Sequence, residues 1–250
     1  MSDINKYAVI SGHGINLDKD LGEEIVDNNS SVINTDFGKT SAPIKEAIVG
    51  NKNIFFLSRH GVKKNIPPHS INNRANIAAL HKLNVKKIIS INTVGVITED
   101  INPGELAIPS QLIDYTWGRS HSFFNTQLAN SEYIDFTDPF CPDLRKRLVK
   151  AAKDASIIFK DGGIYGVTQG PRIETAAEVN RFEKEGVDYL GMTAMPEAAL
   201  SMELDIGYAS LCLIVNRAAG RGDIKVHEDI QLNLDAARSK AIKTLKQFFL

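Results

Sequence analysis

The chain has 250 residues, of which 43% are hydrophobic and 24% are charged, and this ordinary globular composition can bury one large core. Its 29 basic and 30 acidic side chains nearly cancel, which argues against nucleic acid as a partner. The apolar runs are only of strand length and the N-terminus lacks the pattern of a signal peptide, so we expect a cytoplasmic protein that does not span a membrane. The two cysteines, Cys141 and Cys212, are far apart without CxxC spacing, which is typical of free thiols.

Short apolar runs alternate with segments of helical periodicity along the chain. The runs are rich in β-branched and aromatic residues and stop at polar or glycine-containing turns, which predicts strands. In chain order we predict strands at Tyr7–Ile10 and Ile54–Leu57, a helix at Ile71–Leu83, a strand at Lys87–Ile91, a helix at Pro142–Ala152, a strand at Gly163–Val167, a helix at Glu174–Glu185, strands at Tyr189–Met192 and Tyr208–Val215, and a helix at His227–Phe249. This alternation predicts an α/β fold: a single domain over residues 1–250 with a mixed or mostly parallel central β-sheet flanked by helices.

Polar side chains follow these strands at the ends where α/β sheets bind ligands. They comprise a cation, an imidazole, amides, hydroxyls and a carboxylate: Arg59, His60, Asn92, Thr93, Glu174, Thr193 and Asn216. Each has a purely structural explanation when taken alone, such as turn formation for Asn92 or a favourable charge at a helix start for Glu174. Arg172 beside Glu174 either orients this turn or pairs with a nearby acid. So many complementary groups at strand ends favour one shared binding crevice.

Several common catalytic patterns are missing from the sequence. The six histidines show no HExxH or HxH spacing and no GxSxG turn is present, so we expect neither a metal site nor a serine nucleophile. The SGHG segment at residues 11–14 gives only half of a dinucleotide-binding GxGxxG pattern, because Leu17 stands where the third glycine would fall. The predicted site therefore works by positioning and hydrogen bonding, without a covalent nucleophile.

Longer motifs identify the family that the chain resembles. They are SRHG (58–61), NTVGVI (92–97), QLIDYTWGR (111–119), TQGPRIETAAE (168–178), GMTAMPEAAL (191–200) and IVNRAAG (214–220). Their length, order and spread over nearly the whole chain make chance agreement implausible. The chain resembles the trimeric purine nucleoside and methylthioadenosine phosphorylases, and among them most of all the S-methyl-5'-thioinosine phosphorylase branch.

The resemblance implies a nucleoside phosphorylase-like fold and reversible phosphorolysis of purine nucleosides in purine salvage. Inorganic phosphate is then the co-substrate, no cofactor is needed, and the protein is a homotrimer. The catalytic residues implied are His60, Glu174 and Asn216. Phosphate would be held by His13, Arg59, His60, Asn92, Thr93 and Thr193, with bidentate binding expected from Arg59. The nucleoside would contact Ile173, Glu174, Met192, Asn216, Ala218 and His227, and Tyr133 would reach the pocket of a neighbouring subunit.

Two positions depart from the family pattern. His13 stands where relatives have threonine or serine against phosphate, and it either binds through its ring or leaves the contact to backbone amides. His227 aligns with the residue that meets the 5' group of the sugar, where histidine suits a hydroxyl and an apolar residue suits a methylthio group. The alternative for His227 is that it only begins the last helix.

The resemblance and Glu174 together predict a preference for 6-oxopurine nucleosides. A carboxylate accepts from the N1–H of such a base, and adenine has no hydrogen on N1. The substrates expected are 5'-methylthioinosine and inosine or guanosine, and methylthioadenosine is the alternative. Two remoter alternatives stay open: a nucleoside hydrolase, against which the missing aspartate cluster for calcium counts, and a purine-binding sensor without turnover.

Overall fold

The structure, a computed structural model, describes residues 6–12, 21, 24–25, 32–49, 52–124 and 133–250. Its strands are β1 (Lys6–Ser11), β2 (Glu24–Ile25), β3 (Asn34–Thr35), β4 (Gly38–Lys39), β5 (Lys45–Val49), β6 (Lys52–Ser58), β7 (Val85–Val96), β8 (Leu106–Ile108), β9 (Gln111–Asp114), β10 (Phe159–Asp161), β11 (Ile164–Val167), β12 (Tyr189–Gly191) and β13 (Gly207–Arg217). Its helices are α1 (Asn73–Lys82), α2 (Pro142–Asp154), α3 (Ala176–Lys184), α4 (Glu197–Glu203) and α5 (Val226–Phe249), with a 3-10 helix at Pro68–Ser70. None of the described helices is long and apolar enough to cross a membrane.

Eleven of the strands form one mixed sheet, whose main path runs β10-β8-β13-β7-β1-β6-β5-β2. Its centre, β13-β7-β1-β6, is parallel. Near its carboxyl end β7 also pairs antiparallel with β12, which carries the sheet on to β11 and β9. Leu190 of β12 is paired with Gly95 of β7, so the residues that follow β12 run back towards Thr93. The predicted α/β fold with a mixed central sheet is confirmed.

The central strands bury side chains on both faces of the sheet. In β1, Ala8 and Ile10 belong to one hydrophobic core, which α1 and α4 cover. Tyr7 and Val9 belong to a second core, which α2 and α5 cover. Successive side chains of a strand point to opposite faces, so one strand with apolar residues at every position supplies both cores. Helices on both faces leave the carboxyl ends of the parallel strands open to a ligand.

The turn before α3 is held by an ion pair and a capping box. Thr175 accepts from the amide of Glu178, and the Glu178 carboxylate accepts in return from the amide of Thr175, over 3.2 and 2.8 Å. Arg172 donates to both oxygens of Glu178, over 2.8 and 2.7 Å. The hydrogen bonds from Arg172 and from the Thr175 amide lower the pKa of Glu178 to about 2. Arg172 therefore pairs with a nearby acid, which was one of the two roles expected for it.

Two central strands are longer than the sequence predicts. β7 continues to Val96 and β13 to Arg217, so Asn92, Thr93 and Asn216 lie inside strands rather than in turns beyond them. The sequence analysis also missed α4, a seven-residue helix that begins after Pro196 without a side-chain cap, and several strands of two to five residues. Segments this short carry little periodicity, and tertiary pairing decides their conformation.

Candidate active site

A cavity of about 440 Å³ lies at the carboxyl ends of the central strands. This volume suits a small organic ligand rather than a macromolecule. The structure brings together nine of the residues predicted for the site in its wall: Arg59, His60, Thr93, Ile173, Glu174, Met192, Thr193, Asn216 and Ala218. They come from different parts of the chain, so the crevice expected from the strand ends is present.

Arg59 is a cationic group of the cavity wall and is held by a buried carboxylate. The guanidinium donates to both oxygens of Glu197, from Nε over 2.7 Å and from Nη2 over 3.2 Å. Tyr208 and Ser90 also donate to Glu197, over 2.9 and 3.0 Å. Burial opposes the charge of the guanidinium, but the attraction and hydrogen bond of Glu197 outweigh it and raise the pKa of Arg59. The cavity wall therefore contains a permanent positive charge.

Most of the hydrogen-bonding capacity of Arg59 is already used. Besides its bonds to the carboxylate, Nη1 donates to the carbonyl of Ile91 over 2.7 Å, and Nη2 reaches Ser90 Oγ at 2.6 Å and the carbonyl of Ile10 at 3.3 Å. One N–H, on Nη1, is left without an acceptor among the described residues. A Cβ built on Gly12 would lie 3.2 Å from Nη1, so glycine keeps this side of the guanidinium clear of a side chain. In this arrangement of the described residues only one N–H of Arg59 is left for a ligand, which does not fit the bidentate contact expected from the sequence.

A histidine and two hydroxyl groups lie in the same wall. His60 is buried, and its Nδ1 lies 2.7 Å from the carbonyl oxygen of Ile66. A carbonyl oxygen only accepts, so this contact assigns a hydrogen to Nδ1. Thr93 of β7 and Thr193 after β12 add hydroxyl groups, which are able to donate to a ligand.

Asn92 is fully buried and does not belong to the cavity wall, contrary to its predicted contact with phosphate. Its Nδ2 donates to Thr193 Oγ1 over 2.8 Å, and its Oδ1 accepts from Ser210 Oγ over 2.6 Å. A Thr193 hydroxyl that accepts from Asn92 keeps its own hydrogen to donate. Asn92 therefore acts on the site through Thr193.

Asn216 is placed in the wall by an irregularity of β13. The register of β13 against β7 shifts between Ile214 and Asn216, which is the mark of a β-bulge that re-aims side chains. A Cβ on Gly95 would come within 2.8 Å of Asn216 Nδ2, a distance that real Cβ atoms do not show. Nδ2 donates to the carbonyl of Arg217 over 2.6 Å. The bulge and Gly95 together fix the amide at the cavity.

Glu174 supplies the carboxylate that the sequence predicted. It is half-buried, and its Oε1 accepts from the hydroxyl of Thr168 over 2.6 Å. Its Oε2 has no partner within the described parts of the chain. Ile173 and Ala218 add apolar surface to the same cavity. A carboxylate oxygen beside apolar surface suits a flat heterocycle that carries an N–H group.

Arg119 joins the two loops that carry Glu174 and Thr193. Its guanidinium donates to the carbonyls of Thr168, Gln169, Met192 and Met195, over distances of 2.6 to 3.3 Å. Met192, predicted to pack on a sugar, also lies against Gly170, where a Cβ would come 2.5 Å from its Sδ. These contacts fix the two loops relative to each other.

Two further residues predicted for the site are not brought to the cavity, and a third is not described by the structure. His227 is exposed in the first turn of α5, and Ile230 of the same helix lines the cavity instead. Tyr133 is 83% exposed and is not part of the wall. His13 lies outside the described residues, so its role stays a prediction. Within the described ranges, no three side chains of the metal-binding types cluster together.

Two residues that act on the site through another residue have no role predicted from the sequence. Glu197 and Thr168 lie within the quoted motifs GMTAMPEAAL and TQGPRIETAAE, but neither was assigned a role. Their partners, Arg59 and Glu174, are 138 and 6 positions away in the chain. Spacing could have suggested only the second pair, since a salt bridge across 138 residues has no local signal.

Comparison with known proteins identifies the family. The family model described as the phosphorylase superfamily matches residues 7–250. A probable S-methyl-5'-thioinosine phosphorylase of Xanthomonas campestris is 43% identical over 83% of this chain and 84% of its own. A 6-oxopurine nucleoside phosphorylase of Pyrococcus furiosus is 35% identical over 96% of this chain and 90% of its own.

Solved structures agree with these sequence relatives. A methylthioadenosine phosphorylase from an antarctic soil metagenomic library superposes with a TM-score of 0.88 and 30% identity, covering 99% of this chain and 86% of that one. Methylthioadenosine phosphorylase from Schistosoma mansoni in complex with adenine gives a TM-score of 0.86 and 26% identity, covering 98% and 90%. Sequence, fold and the family model agree over almost the whole length, and the chain therefore belongs to the phosphorylase superfamily.

Proposed function

We propose that the chain is a purine nucleoside phosphorylase that transfers the sugar of a 6-oxopurine nucleoside to inorganic phosphate. One observation carries the proposal: a single cavity joins a permanent cation, Arg59, and hydroxyl donors to a carboxylate and an amide, Glu174 and Asn216. The first set suits phosphate and the second suits a purine. The relatives named for 5'-methylthioinosine and 6-oxopurine nucleosides support this substrate class. The role is cytoplasmic purine salvage, with no cofactor.

The reaction follows from these groups. An oxygen of phosphate attacks C1' of the sugar, the bond from C1' to N9 breaks, and its electron pair passes to the purine. Asn216 donates to N7, where part of this charge accumulates, and Glu174 accepts from N1–H. The phosphate charge stabilises the cationic sugar, and binding both reactants in one cavity removes much of the entropic barrier. The purine takes up the proton that phosphate loses on becoming the ester, so sugar 1-phosphate and free purine are the products, and the reverse reaction uses the same contacts.

The decisive experiment is a nucleoside panel assayed with and without phosphate. We expect purine release from inosine, guanosine and 5'-methylthioinosine only when phosphate is present, and slower release from methylthioadenosine. Release without phosphate would identify a nucleoside hydrolase. Binding without any release would identify a sensor. Equal kcat/KM for methylthioadenosine and 5'-methylthioinosine would favour the alternative, a methylthioadenosine phosphorylase.

Most of the wall that remains for the 5' group of the sugar is apolar. The lining residues that neither phosphate nor purine uses include the apolar Ile66, Pro68, Val215 and Ile230, beside the polar Lys64 and Asn65. An apolar wall accepts a methylthio group and offers no partner to a hydroxyl. Because Ile230 rather than His227 lines the cavity, we infer 5'-methylthioinosine as the preferred substrate, where the sequence left the 5' hydroxyl and the methylthio group as alternatives.

Ile230→His should shift this preference towards inosine. The imidazole offers a hydroxyl partner and removes apolar contact, so the ratio of kcat/KM for 5'-methylthioinosine to that for inosine should fall about tenfold or more. His227→Ala is the matched control, because His227 is exposed on the same helix and should leave the ratio unchanged. A change of the ratio in His227→Ala, with none in Ile230→His, would contradict this assignment of the 5' wall.

The subunits are proposed to form a homotrimer in which Tyr133 closes the cavity of a neighbour. Tyr133 is 83% exposed and lies outside the cavity wall of its own chain, which suits a contact between copies. Tyr133→Ala should raise the KM for nucleoside while the melting temperature stays unchanged, and Tyr133→Phe should keep most of the activity. A fully active monomer in sedimentation at assay concentration would rule out the lid.

A further inference from the structure

Thr168 is a buried residue immediately after β11, and its backbone is fixed on both sides. Its side chain and backbone are only 7% exposed. Its amide donates to the carbonyl of Gly191 over 2.8 Å, and its own carbonyl accepts from Arg119 over 3.3 Å. These contacts tie Thr168 to the end of the neighbouring strand β12. The hydroxyl therefore projects from a rigid position.

The hydroxyl of Thr168 has two acceptors but one hydrogen. Glu174 Oε1 lies 2.6 Å away and the carbonyl oxygen of Gly191 lies 3.4 Å away. The shorter bond ends on a carboxylate, and hydrogen bonds to charged acceptors are the stronger kind. The hydrogen therefore goes to Glu174. One carboxylate oxygen is then occupied, and Oε2 is the atom left to meet a ligand.

Glu174 stands between two cavities, so the direction of its carboxylate matters. Besides the main cavity it lines a second one of about 190 Å³, together with Thr168, Arg172 and Glu178. Arg172 belongs to this outer cavity and attracts nearby carboxylates: its pKa is raised mainly by Glu178 and in smaller part by Glu174. Without the bond from Thr168, the Glu174 carboxylate is free to turn towards either cavity.

We propose that Thr168 is the positioning residue behind the preference for 6-oxopurines: its hydroxyl holds Glu174 at the main cavity, with one oxygen presented to the N1–H of the base. The inference rests on the proposed function, because it assigns Glu174 to the purine. Thr168 itself touches no substrate. It acts by removing the competing orientation of the carboxylate, so its loss weakens recognition of N1–H and leaves bases without that hydrogen unaffected.

Thr168→Val tests the inference with a side chain of the same shape. We expect kcat/KM for 5'-methylthioinosine to fall about ten- to a hundredfold, the range for one charged hydrogen bond, and kcat/KM for methylthioadenosine to change little. The Kd of hypoxanthine should rise by a similar factor and that of adenine should not. Thr168→Ser retains the hydroxyl and should restore most of the discrimination. Equal losses on both substrates would show a merely structural role and overturn the inference.

Glu174→Ala separates this inference from the proposed function. If Glu174 selects the base, Glu174→Ala alone removes the discrimination, measured as the ratio of kcat/KM for 5'-methylthioinosine to that for methylthioadenosine. Adding Thr168→Val to Glu174→Ala then lowers this ratio no further. Discrimination that survives in Glu174→Ala would overturn the purine assignment itself. Discrimination that is lost in Glu174→Ala but intact in Thr168→Val would leave the proposed function standing and overturn only the role of Thr168. A further drop of this ratio in the double variant would also contradict the role of Thr168, since Thr168 would then act independently of Glu174.

Discussion

Glu197→Ala should lower the free energy of unfolding by about 3–5 kcal/mol, one of the two largest effects expected in this protein. The side chains of Glu197 and Arg59 are each only 1% exposed, so water cannot take over the contacts of the guanidinium when the carboxylate is removed. Urea denaturation measures the loss. Glu183→Ala is the matched control, because Glu183 pairs with Arg221 at the surface with 54% of its side chain exposed. A surface pair of this kind should contribute no more than about 1 kcal/mol.

The same pair should govern phosphate binding. Glu197→Gln keeps the shape but removes the charge that orients Arg59, so the KM for phosphate should rise at least about tenfold while the KM for nucleoside changes little. Replacing both residues by methionine removes the buried charges together and should recover much of the stability. That double variant should still fail to bind phosphate. Normal phosphate affinity in the double variant would show that Arg59 is not a phosphate ligand. An unchanged free energy of unfolding in Glu197→Ala would refute the stability prediction.

The elements that the sequence predicted well are those with long, clear patterns. Runs such as Tyr7–Ile10 and Tyr208–Val215 are apolar at successive positions because both faces of the sheet are covered by helices. The end of β7 was less predictable. Asn92 and Gly95 are typical of turns, yet pairing with β12 and β13 keeps them in an extended strand. Tertiary pairing there overrides the local preference.

The cavity wall was largely predictable because its residues follow or end the strands, whereas the direction of each side chain was not. Asn92 and Thr93 are adjacent, but only Thr93 lines the cavity, and the hydrogen bond from Asn92 to Thr193 joins residues 101 positions apart. Likewise, the sequence left His227 as either the 5' contact or only the start of the last helix, and the packing of α5 puts Ile230 in the wall instead. Choosing between two residues of one helical turn requires the orientation of the helix, which depends on its contacts with the sheet.

Asn216→Ala should reduce kcat about 10²–10³-fold, the loss typical of one preorganised donor aimed at developing charge. The reason lies in the leaving group: as the bond from C1' to N9 breaks, the purine gains charge that a donor at N7 stabilises. The KM for phosphate should stay near the wild-type value, because Asn216 belongs to the purine contacts in the proposed reaction. Steady-state kinetics with 5'-methylthioinosine, varying each substrate in turn, separates the two parameters.

Two companion measurements decide whether Asn216 acts through N7. Gly95→Ala should reproduce much of the loss, because its Cβ would come within 2.8 Å of Asn216 Nδ2 and displace an otherwise intact amide. The 7-methyl derivative of inosine carries its positive charge before the bond breaks and leaves as a neutral base, so it needs no donor at N7. Asn216→Ala should therefore slow this substrate far less than inosine. An equal loss on both substrates would show that Asn216 orients the base without stabilising the charge, and the catalytic role assigned to it would fail.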